Sequence, residues 1–130
     1  MAITWRAALD LNPDAMLWQS KRSEILAGNI ANADTPNYHA RDYDFHQIMK
    51  SIAGLEEGLP LARTSPMHLP ITKEPDKLYY RIPFSPAVDG NTVDPDLERQ
   101  NFLENSLGYM STLRFLQGDL KELMTAIRGT

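Results

Sequence analysis

The chain has no cysteine among its 130 residues, so disulfides, thiolate nucleophiles and Cys-ligated metal sites are excluded. No run of Lys or Arg occurs, and the formal net charge is -4, which argues against nucleic acid as the main partner. No apolar run approaches the roughly 20 residues of a bilayer-spanning helix, so no direct membrane span is expected. The segment from Met1 to Asp10 lacks the basic-then-apolar layout of a secretory signal. The expectation is a protein that stays in the cytoplasm or leaves it by a route that needs no cleaved signal. There is no nucleophile elbow, phosphate-cradling glycine loop or zinc-protease helix. Neither catalysis nor a cofactor is therefore expected.

What is present is an ordinary folded-protein composition, 42% hydrophobic and 23% charged, in a length that suits one modest domain. Leu11-Asn12-Pro13-Asp14 has the grammar of a helix start. Asn12 is the expected N-cap, Pro13 occupies the first helical position, and Asp14 sits at the positive dipole end. Ala15, Trp18, Arg22, Ile25, Asn29 and Asn32 then share one helical stripe, flanked by Leu26 and Ile30. Pro36 pushes Thr35 out of helical geometry, so the helix should end between Asn32 and Thr35.

From about Asn37 to Asp94 the prolines at 60, 66, 70, 75, 83 and 86 are too closely spaced for long helices. Only short pieces fit: a brief helix over Phe45 to Leu55, and an edge strand over Lys77 to Phe84, which is rich in aromatic and β-branched residues. At Asp94-Pro95-Asp96-Leu97-Glu98 the helix-start grammar returns, and no proline interrupts the chain from Asp96 to Thr130. Gly129 stands where a terminating glycine belongs.

This last helix carries the clearest periodicity in the sequence. Phe102, Ser106, Tyr109, Leu113, Leu116, Leu120, Leu123 and Ile127 follow alternating spacings of four and three, the seam of a coiled coil. Leu103, Leu107, Met110 and Met124 widen the apolar face, so the helix should meet more than one neighbour. Gly108 and Gly118, each costing about 1 kcal/mol in helix propensity, suggest close packing. The fold expected is mainly α, in three segments. A helical segment over 1–36 and a coiled-coil helix over 95–130 pack together as one domain, and an irregular middle over 37–94 holds a little β. Such a pair leaves apolar surface uncovered, which marks interaction sites.

Asn29-Ile30-Ala31-Asn32-Ala33-Asp34-Thr35-Pro36-Asn37-Tyr38 is dense in side chains that bond nearby backbone, as at a helix end running into an Asx-type turn. That mechanism does not account for Tyr38 or for Arg41-Asp42-Tyr43-Asp44-Phe45. His39, Asp42 and His46 lie close enough in sequence to raise a metal site, but an extended segment sends His39, Arg41, Tyr43 and Phe45 to one face and Asp42, Asp44 and His46 to the other. Metal binding is not expected. Asp89-Gly90-Asn91-Thr92-Val93-Asp94 has its glycine at the second position instead of the sixth of a calcium loop, and reads as a turn feeding a capped helix.

The block from Asn29 to Pro36, with Tyr38 and the stretch Ala40 to Phe45, resembles the N-terminal signature of the flagellar rod and hook axial proteins. The extension through Arg41, Asp42, Asp44 and Phe45 resembles the proximal-rod version. The second block, Asp89 to Asp94 with Glu98 and Arg99, resembles the family's approach to its C-terminal helix. Weaker similarity runs through Ser65 to His68 and Leu78 to Pro83. Asn37 stands where the family commonly has Gly, and Asn tolerates a left-handed backbone next best.

The resemblance implies a structural subunit of the flagellar basal body, placed in the periplasmic rod and exported through the flagellar type III apparatus without a cleaved signal. It would stack with copies of itself into a hollow shaft. Other flagellar rod proteins and the adaptor joining rod to membrane ring would be the remaining partners. The resemblance also implies that Asn29, Asn32, Asp34, Thr35, Pro36, Tyr38, Arg41, Asp42 and Phe45 form a subunit-interaction turn. Asp89, Gly90, Asn91, Val93 and Asp94 would form the approach to the last helix. Phe102, Tyr109, Leu113, Leu116, Leu120, Leu123 and Ile127 would form the coiled-coil seam. A soluble coiled-coil adaptor or export chaperone shares the heptads but leaves both blocks without a purpose.

Overall fold

A computed structural model describes residues 9–54, 77–83 and 87–129. The described chain runs α1 (Asn12–Ala31), β1 (Arg41–Tyr43), α2 (Phe45–Ile52), β2 (Leu78–Tyr80) and α3 (Pro95–Arg128). The two long helices pack against each other, and a two-stranded antiparallel ribbon lies against α1. The expected mainly α fold, with its terminal helices paired and a little β between them, is the fold observed. Leu55, Phe84 and the block 65–68 lie outside the described residues.

The helix ends follow local chemistry, with one correction. The residue before α1 is Leu11, which makes no side-chain cap, and Asn12 is already helical. Its Nδ2 donates instead to Asp119 Oδ2 on α3 at 2.9 Å. A charged acceptor on the neighbouring helix outcompetes the local amides for this side chain. Downstream, Asp44 Oδ1 accepts from the Gln47 amide at 3.0 Å and opens α2. Asp94 Oδ1 accepts from the amides of Asp96 and Leu97 at 3.1 and 3.2 Å and opens α3. That helix has 34 residues, about 51 Å at 1.5 Å each, and closes at Gly129 with φ of 74°.

In the ribbon Arg41 faces Tyr80, Asp42 faces Tyr79, and Tyr43 faces Leu78. The strand is shorter than the expected Lys77 to Phe84. One further bond, Arg81 N to Ala40 O at 2.9 Å, carries the pairing past its end. The ribbon packs on α1 partly through Trp18, whose ring meets Tyr43 edge-on at 5.4 Å.

The contact between α1 and α3 differs in kind from the apolar seam expected of it. The fully buried apolar residues described are Leu26, Ala40 and Ile48, whereas Gln19, Asn29, Asn91, Glu98 and Asn105 are buried polar ones. On α3 the buried positions are Glu98 and Asn105. Phe102, Tyr109, Leu113, Leu116 and Leu123 are half-buried, and Leu120 and Ile127 are exposed. Polar rungs run along the pair, because Asn105 Nδ2 donates to both Gln19 O and Ser23 Oγ at 2.8 Å. Gly108 permits this approach: a Cβ there would lie 3.2 Å from Gln19 Nε2, while Gly118 has nothing within 4 Å.

Replacing Asp94 by Ala should lower stability by about 1 kcal/mol, the ordinary cost of losing an N-cap side chain. Urea unfolding followed by circular dichroism at 222 nm measures it; an unchanged midpoint would mean that the cap contributes nothing.

Candidate functional site

The two sequence blocks, whose contacting residues lie more than fifty positions apart, meet in one place. Asn91 Nδ2 reaches the carbonyls of Asn32, Ala33 and Thr35 at 3.1, 2.6 and 3.0 Å. Asn32 O and Thr35 O also accept the Thr35 and Tyr38 amides, so the Asn91 side chain braces a turn that already closes on itself. The same side chain accepts the Val93 amide through Oδ1 at 2.8 Å, and Asp89 Oδ1 accepts the Asn91 amide at 3.1 Å. Backbone bonds complete the zipper: Asn37 N to Asp89 O at 3.0 Å and Thr92 N to Tyr38 O at 3.0 Å. Asn37 lies at φ of 59°, the left-handed geometry expected there, and Gly90 at φ of 75°. A Cβ on Gly90 would stand 2.7 Å from Asn37 Oδ1, so any other residue at position 90 would have to move that side chain and hold a strained left-handed backbone.

Beside the zipper lies Asn29, with no exposed surface. Its Nδ2 donates to Arg41 O at 2.7 Å and to Glu98 Oε2 at 3.1 Å. Its Oδ1 accepts from Arg41 N at 3.2 Å and from the Tyr38 hydroxyl at 3.3 Å. Two donors and two acceptor sites are thus all used, the full capacity of a carboxamide. Towards Arg41 the side chain imitates a peptide group, covering the edge of β1 as a third strand would.

Around Asn29 four charges close a neutral cluster. Arg22 on α1 makes a bidentate pair with Asp42 on β1, at 2.9 and 2.8 Å. Arg81, just past β2, donates to the same carboxylate at 2.5 Å through Nη2 and to Glu98 Oε1 through Nη1. Burial pushes the Asp42 carboxyl up, but the hydrogen bonds and charge of Arg22, the charge of Arg81 and the Tyr43 amide overcome it. The group is held below the usual carboxylate range. Its hydrogen bond holds the Arg22 guanidinium above its ordinary value.

The cluster draws together Asn29, Tyr38, the Arg41 backbone and Asp42, but leaves Asp34, Thr35 and Pro36 exposed at the turn and Phe45 half-buried at the start of α2. Arg22, Arg81 and Glu98 are members that sequence spacing does not pair. The available signal was an arginine on the α1 stripe and a glutamate one turn into α3. His39 stacks edge-on against Tyr80 at 6.0 Å, Asp42 is consumed by arginines, and His46 is exposed. No group of three His, Cys, Asp or Glu residues able to hold a metal occurs among the described residues. A shallow depression beside the cluster is lined by Tyr43, Asp44, Gln47, Tyr79 and Tyr80, with Asp42 and Arg81 at its floor already paired.

Apolar surface gathers on the outside of α3. Leu103 is 64% exposed, Leu107 62% and Met110 49%, at helical spacings of four and three. Phe115, Met124 and Ile127 are also exposed.

A family profile described as "Flagella basal body rod protein" matches residues 14–39, which span α1 and its terminal turn. The chain is 45% identical over 130 residues to the flagellar basal body rod protein FlgB of Salmonella typhimurium, covering 95% of this chain and 94% of that one. It is 42% identical over 132 residues to the same-named protein of Escherichia coli, with the same coverage. To that of Aeromonas hydrophila it is 41% identical over 131 residues, 99% of this chain and 98% of the relative.

Two changes test the cluster. Asn29→Asp would set a carboxylate without a donor against Glu98 and should cost at least about 3 kcal/mol at neutral pH. A smaller loss by urea titration would show that the site relaxes. For Asp42 the folded-state pKa is depressed, so its stabilisation is present above the unfolded value of about 3.9 and is lost as pH falls through the lower folded value. The stability gap between the wild type and Asp42→Asn should therefore be widest near pH 7 and narrow towards pH 2, in urea midpoints measured across that range.

Proposed function

The chain belongs to the FlgB family of flagellar basal body rod proteins, and from that premise we propose that the outer face of α3 is the surface through which its copies assemble. It is a structural subunit of the flagellar basal body rod, and its relatives are structural rod proteins. The observation that carries the assembly reading is the stripe of Leu103, Leu107 and Met110 on a helix whose opposite side is already fixed to α1. Covering the surface that these three side chains still expose contributes roughly 1 to 2 kcal/mol each. Repetition along a shaft multiplies that contribution.

Within this reading, the half-buried seam residues Phe102, Tyr109, Leu113, Leu116 and Leu123 hold the subunit's own helix pair, while Leu120 and Ile127 join the outer face. Asp34, Thr35 and Pro36, exposed on a turn braced by Asn91, set the angle at which a neighbour docks. Copies of the chain, sister rod proteins, the adaptor joining rod to membrane ring and the type III export apparatus are the partners. The rod lies in the periplasm, and the subunit reaches it through that apparatus. No described helix is long and apolar enough to cross a membrane. An adaptor or chaperone built on the same helix fits less well, because kinship to rod proteins covers nearly the whole chain.

Leu103→Asp and Leu107→Asp should each leave the isolated subunit within about 0.5 kcal/mol of wild type, as exposed substitutions do. Each should abolish recovery of the subunit in purified basal bodies and stop swimming. Leu116→Asp should lower the thermal midpoint of the subunit itself. Normal motility in both exposed variants would move the docking surface elsewhere.

A further inference from the structure

We infer that Arg81 is a coupling pin: by neutralising the buried Glu98 at the contact of α1 with α3, it makes docking of the β1–β2 ribbon and closure of the helix pair a single event. Glu98 is 1% exposed and has two partners among the described residues, Arg81 on Oε1 and Asn29 on Oε2. The asparagine is neutral, so the charge that balances Glu98 at contact distance comes from beyond the helix pair. It sits immediately after β2, on a segment that also bonds Ala40 O through the Arg81 amide. The second fork of the same guanidinium holds Asp42 on β1, which Arg22 in turn ties to α1.

If the ribbon leaves, Glu98 loses its contacting cation and keeps only the neutral Asn29 carboxamide as a direct partner, so the helix pair is destabilised. If the helix pair opens, Glu98 no longer holds the end of β2. Each equilibrium therefore biases the other by the same factor, as linkage requires. A neighbour that pulls or holds the middle segment then loosens or tightens the helices, without touching them.

The charged and titratable groups around Glu98 are Arg22 from α1, Tyr38 and Asp42 from the turn and β1, and Arg81 from the end of β2. Glu104 lies further along α3, where its charge acts on Arg22. With Arg81 removed, Glu98 is the group left without a cation in contact, while Asp42 keeps Arg22.

Native-state hydrogen exchange on the full chain tests the coupling. In the wild type, the amide of Arg81 in the ribbon and those of residues 102–109 in α3 should share one opening equilibrium and one urea dependence. Arg81→Met should lower protection at both places together, on the order of a hundredfold or more. Should Arg81→Met fail to fold, the double variant Arg81→Met with Glu98→Gln supplies the readout. A neutral amide at position 98 needs no cation, so the helices should return while the ribbon stays loose. Loss of protection confined to the ribbon in Arg81→Met, or no recovery in the double variant, would overturn the inference.

Discussion

The carboxamide of Asn29 is the contact on which the remaining structure leans. It has two donors and two acceptor positions, and all four are engaged, by the backbone of Arg41, the Tyr38 hydroxyl and Glu98. An aspartate could not donate, and a leucine of similar volume could do neither. Through this one side chain α1 holds the edge of β1 and reaches the first turns of α3. The turn that follows is then fixed from the other side by Asn91, whose Nδ2 reaches the carbonyls of Asn32, Ala33 and Thr35.

The polar interior has a counterpart on the surface. A helix pair in a small monomer usually turns its apolar stripe inward. Here Gln19, Asn29, Glu98 and Asn105 occupy the buried contact, while Leu103, Leu107 and Phe115 face out. Leaving those side chains exposed wastes hydrophobic driving force in an isolated chain and makes sense in one whose final environment is other protein. Polar rungs such as Asn105 with Gln19 and Ser23 give the pair a fixed register in place of greasy tolerance, since a shifted register would leave buried donors unmatched. Position matters more than bulk stability for a subunit of a regular rod.

Much of the fold could be read directly from the residues. Pro13, the Asp94-Pro95 step and Gly129 marked helix limits because their effects act within one turn of chain, and Asn37 was recognisable as a left-handed residue because the resembling family commonly has Gly there. The heptads of α3 showed that the helix has an apolar face wider than one partner needs. They did not show which part of that face the chain uses itself. Periodicity reports the chemistry of a face and is silent about how a partner is rotated around it, so the buried positions, Glu98 and Asn105, escaped the seam. Asn12 was misread for a related reason: its local role as a cap was displaced by Asp119, more than a hundred residues away.

The residues by themselves determined the helices, their limits, the excess of apolar surface on the last of them and the family signature, all properties carried by neighbours along the chain. Only the tertiary structure decided that the signature's Asn29, Asp42 and Asn91 work inward, that Arg22 and Arg81 share one aspartate, and that Glu98 lies under the ribbon. Those pairings join groups between 12 and 69 residues apart. Hydrogen bonds and buried charges have energies set by distances of about 3 Å in space, and no local pattern in a sequence encodes which distant groups will come that close.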